Sequence, residues 1–80
     1  MKIPVVKKLV ENHTIDELRR AEDALIEETP LPFEVGGDDE GEKLTHILAA
    51  IFVLERMTHE GIDFKAALRN YTRMVRESIS

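Results

Sequence analysis

Four side chains able to ligate a cation fall close together in GGDDEGEKLTH: Asp38, Asp39 and Glu42 follow a glycine pair, and His46 comes four residues after Glu42. Hard cations gather several oxygen ligands and transition metals accept imidazole nitrogen, so this run is the place for a metal-dependent enzyme site. Residues four apart share a helix face, and Glu55 with His59 repeats the spacing. Against a metal, the ligand order of a calcium loop is missing, as is the three-residue Glu-x-x-His spacing of di-iron bundles. The plainer reading is electrostatic. Acids at the start of a helix suit the positive end of its dipole, and Glu–His pairs are ordinary on helix surfaces. No cofactor is expected.

A second chemistry is phosphate contact. THEGIDFKAALRNYTRMV superficially follows a helix-turn-helix pattern, with Lys65, Arg69, Arg73 and Arg76 available to phosphates. Four cations on one amphipathic helix equally describe a solvated basic side, able to pair with the acidic second helix of the same or another subunit. Covalent catalysis lacks support. Cysteine is absent, Ser78 and Ser80 have no nucleophile-elbow turn, and the pair Gly36–Gly37 precedes acids that would repel a phosphate.

The elements that would carry these residues follow from punctuation and period. Pro4 suits a first helical turn, and Val6, Leu9 and Val10 share a side, which predicts helix 1 over about 4–12. Thr14 and Glu17 form a capping box for helix 2, predicted to run to Glu28 with Ile15, Leu18, Ala21, Leu25 and Ile26 inward. TPLPFEVGGDD then blocks helix with two prolines, and Leu31, Phe33 and Val35 alternate, so an extended strap or a two-residue strand is expected. Helix 3 should begin near Asp38 or Asp39 and stop at Gly61. Asp63 caps helix 4, whose stripe is Phe64, Ala67, Leu68, Tyr71, Met74, Val75 and Ile79.

Helix 3 poses the main physical problem. Its eight consecutive apolar residues, Ile47 to Leu54, point in every direction at 100° per residue. They are far fewer than the roughly 20 a bilayer span needs, so protein must cover them. Three short helices can cover two sides. Hiding about 400 Å² on the third side with a second copy would recover roughly 10 kcal/mol per protomer before ordering costs. A homodimer is therefore expected, with Ile47, Ala50, Ile51, Phe52 and Leu54 at its interface.

The totals agree with a small domain. Eighty residues predict one domain over 1–80, near the size at which core burial barely outweighs chain entropy. The formal net charge is −5, but unevenly spread: residues 14–42 hold eleven acids against Arg19 and Arg20, while residues 64–80 are basic. That balance disfavours nonspecific nucleic-acid or anionic-membrane binding. MKIPVVKKLVENH does not fit a signal peptide, and the absence of cysteine fits a cytoplasmic location.

At MKIPVVKKL, at E-x-x-x-L leading into the apolar helix, and at A-L-x-x-Y-x-x-M-V, the chain resembles a family of short bacterial proteins without known function. The resemblance implies a small cytoplasmic helical protein and assigns no site residues. The resulting expectation is an all-α four-helix domain with a short first and a long buried third helix, acting as a non-enzymatic homodimeric interaction or structural module. The alternatives are a nucleic-acid accessory protein and a metal-dependent enzyme.

Overall fold

A computed structural model describes residues 1–79, which form α1 (Ile3–Asn12), α2 (Ile15–Ile26), α3 (Glu40–Glu60) and α4 (Phe64–Ile79). The fold is all-α, with no strand among the described residues. Each helix start is explained by local chemistry. Pro4 occupies the first turn of α1. At α2 the Glu17 N–H donates to Thr14 Oγ1 at 3.1 Å while the Thr14 N–H donates to Glu17 Oε1 at 2.8 Å. The Glu42 N–H donates to Asp39 Oδ1 at 2.7 Å to open α3, and the Ala66 N–H to Asp63 Oδ1 at 2.9 Å to open α4. Gly61, at φ 66°, ends α3 in the left-handed conformation that glycine adopts without strain.

Helix α2 stops earlier than its sequence suggests. Glu28 turns left-handed at φ 58°, and the Thr29 N–H returns to the Ala24 carbonyl at 2.9 Å. With the Glu28 N–H reaching the Leu25 carbonyl at 3.3 Å, the two bonds make a Schellman cap. The following connection carries no strand. Val35 is buried and Leu31 and Phe33 are half-buried, so the strap is fastened by side chains rather than by a ladder. Phe33 stacks on the ring of His13, centroids 3.7 Å apart, tying the strap to the end of α1.

α1, α2 and α4 each pack against α3, which answers the problem of its oily circumference. Ile47, Ala49, Ala50, Ile51 and Val53 are buried by the protomer's own helices. Leu48 remains 42% exposed, and Phe52 and Leu54 are half-buried. On α4 only Ala67 is fully buried. Its apolar stripe runs past the core, leaving Met74, Val75 and Ile79 at 41, 36 and 81% exposure. Among the described residues, no helix is long and apolar enough to cross a membrane.

Candidate functional site

The acidic run at the start of α3 is occupied with building the helix and fastening α1. Asp39 is the N-cap, and Glu42 Oε1 accepts the Asp38 N–H at 2.8 Å. Lys2 Nζ lies 3.4 Å from Asp38 and 3.8 Å from Glu42. His46 is fully buried, and both ring nitrogens bond to backbone. The Lys2 N–H donates to Nε2 at 2.9 Å, which leaves Nδ1 to carry the ring proton and donate to the Gly36 carbonyl at 2.8 Å. A ring nitrogen so engaged has no lone pair for a cation, and among the described residues no three His, Cys, Asp or Glu side chains are placed to hold one. The second pair also separates: Glu55 Oε1 accepts from Arg19 at 3.3 Å, bridging α2 and α3, while His59 is exposed.

Lys65, Arg69, Arg73 and Arg76 stand exposed on α4, as its amphipathic pattern requires. The residues expected at a contact between copies divide. Ile47, Ala50 and Ile51 lie inside the protomer's own core, so the surface open to another molecule starts at their neighbours.

That surface is where α3 meets the far half of α4. Leu48 on α3 and Met74, Val75 and Ile79 on α4 are exposed, and Phe52 meets Tyr71 edge to face with centroids 5.5 Å apart. Arg56 lies over the Phe52 ring, its guanidinium carbon 5.0 Å from the centroid, and also pairs with Glu60. A shallow groove of about 400 Å³ here is lined by Phe52, Arg56, Glu60, Asn70, Arg73, Met74 and Glu77. Burial removes water from the Tyr71 hydroxyl and pushes its pKa above the ordinary value of 10.0. At the start of α2, the Thr14 N–H bonded to Glu17 holds that carboxyl below its ordinary 4.5.

The exposure of Leu48 was hidden in the sequence by excess of signal. Where all eight residues of a run are apolar, periodicity cannot tell the open one from the covered ones.

No curated protein and no solved structure gives a significant match to the chain. A family profile does match, over residues 1–80, and on that match the chain belongs to DUF6952, a family of unknown function.

Proposed function

We propose that this protein is a non-enzymatic interaction module, one domain over residues 1–80 in the cytoplasm, that pairs with a second copy through the α3–α4 face. The observation that carries the reading is α4 itself: a strongly amphipathic helix with one fully buried residue, whose apolar Met74, Val75 and Ile79 stand in water, as Leu48 does on α3. Exposed apolar side chains joined in a patch favour association, since each one removed from water contributes. A stable pair needs about 800 Å² from each partner, with aromatic side chains near the centre. The Phe52–Tyr71 pair supplies that centre, and Leu48, Met74, Val75 and Ile79 extend it along both helices.

A two-fold pairing also demands a face that fits itself. The groove beside the patch is lined by both signs, Arg56 and Arg73 with Glu60 and Glu77, so a second copy would meet a face of mixed charge. A face of one sign would repel its copy.

Light scattering on the wild-type chain at micromolar concentration should report twice the 9.1 kDa chain mass. Leu48→Asp with Met74→Asp should give a folded monomer, because both positions are exposed in the protomer. Ile26→Asp on α2, at 64% exposure and outside the patch, should leave the dimer intact. A wild-type monomer at high micromolar concentration overturns the reading.

A further inference from the structure

A second depression lies between α1 and the strap, and its chemistry differs from that of the α3–α4 face. It encloses about 510 Å³ and is lined by Val5, Lys8, Leu9, Asn12, His13, Glu34 and Gly36. Small-molecule sites typically occupy about 300 to 1,000 Å³. Val5, Leu9 and Gly36 give an apolar floor; the wall at one end is firm, because Gly36 sits so close to Val5 that a Cβ there would lie 3.1 Å from Val5 Cγ2. The rim is polar. Asn12 Nδ2 donates one hydrogen to the Lys8 carbonyl at 2.8 Å, leaving its amide oxygen without a partner. His13 is clamped flat on Phe33, and its Nδ1 is buried without a hydrogen bond, 3.9 Å from Glu17 Oε1.

The decisive feature is the pair of charges. Lys8 is the only cation and Glu34 the only anion lining this groove, one on the helix wall and one on the strap. Neither has an ion-pair partner among the described residues. Opposite charges that share a groove yet do not neutralise each other are complementary to a molecule carrying both charges itself. A monoanion would satisfy Lys8 and be repelled by Glu34, and a cation would meet the reverse.

We propose that the groove between α1 and the strap binds a small zwitterion with an apolar side chain, a free amino acid or dipeptide, its carboxylate at Lys8 and its ammonium at Glu34. The apolar side chain lies on Val5 and Leu9. Asn12 supplies the neutral polar contact beside Lys8. This site is independent of the pairing face, and its test reads different residues.

The experiment is a titration of 15N-labelled full chain followed by amide chemical shifts, with L-leucine and glycyl-leucine as probes and N-acetyl-leucine and leucine amide as controls. Saturable shifts at Val5, Leu9, Asn12, His13 and Gly36 are expected for one or both zwitterions at millimolar concentration, and which of the two binds sets the ligand length. Capping either end of leucine should weaken binding at least about tenfold, as should Lys8→Gln or Glu34→Gln. Both side chains are exposed, so the variants keep the fold, which their unchanged remaining amide shifts verify. No saturable shift with either zwitterion, or equal affinity for the capped forms, overturns the proposal.

Discussion

The Lys2 backbone N–H donates to His46 Nε2 at 2.9 Å, joining the N-cap of α1 to the second turn of α3 across 44 residues of sequence. Through Nδ1 the same ring holds the Gly36 carbonyl, so one side chain fastens α1, the strap and α3 together. The two bonds run in opposite senses, which only the neutral ring with its proton on Nδ1 can serve.

Replacing His46 therefore orphans two backbone groups, each costing about 1 to 3 kcal/mol when left without a partner. His46→Leu fills the space but forms neither bond, and should cost about 2 to 4 kcal/mol in urea unfolding. His46→Ala adds a cavity and should cost more. A loss below about 1 kcal/mol for both variants would show that water replaces the ring at no expense. In a domain of this size the predicted loss is a large share of total stability.

A gain is available at the end of α2. Glu28 holds a left-handed φ of 58° in the position of a Schellman cap that glycine usually fills. It also places a carboxylate at the negative end of the helix dipole. Glu28→Gly should raise stability by about 0.5 to 1 kcal/mol, the strain relieved less the extra chain entropy of glycine. Glu28→Ala is the control: it removes the charge, keeps the strained backbone, and should gain less. The measurement is the shift of the urea midpoint at unchanged slope.

These two residues also show what was and was not legible in the sequence. Pro4, Thr14 with Glu17, Asp39, Gly61 and Asp63 announce helix ends by short-range chemistry, and the four helices follow from them. Glu28 carries no stop signal, because its left-handed turn is imposed by the Schellman bonds and not by its own preference. His46 reads locally as the partner of Glu42, four residues away; its true partners lie 10 and 44 residues away, and no periodic pattern encodes them. The stripe on α4 was legible as a stripe, yet its period says which side chains share a face and nothing about how far the core extends beneath them. The alternation of Leu31, Phe33 and Val35 predicts that they face inward, and among the described residues they do so without a strand because no second strand lies beside them.

The capping box of α2 makes a pH-dependent contribution. Glu17 has a folded pKa below its ordinary 4.5, held there first by the Thr14 N–H. A carboxyl with a lowered folded pKa adds stability above its unfolded pKa and loses it as pH falls through the folded one. Unfolding midpoints should thus fall as pH drops below about 4.5, and Glu17→Gln should flatten that part of the profile. Thr14→Ala should cost about 1 kcal/mol at neutral pH. An identical acid profile in Glu17→Gln would assign the acid sensitivity to other carboxylates.

Tyr71 gives the opposite sign and a direct optical readout, since it is the only tyrosine in the chain. Burial against α3 favours its neutral phenol, so its folded pKa lies above 10.0. A group raised in this way contributes stability in full below its unfolded pKa and loses it as pH rises through the folded one. The tyrosinate absorbance should accordingly appear at higher pH in the native protein than in urea. Because Tyr71 meets Phe52 at the centre of the proposed pairing face, covering that face with a second copy should dry the hydroxyl further. The native titration midpoint should then move upward with protein concentration through the association range, and should fall back in the Leu48→Asp, Met74→Asp variant. A concentration-independent midpoint shared by variant and wild type would place the desolvation within one protomer alone.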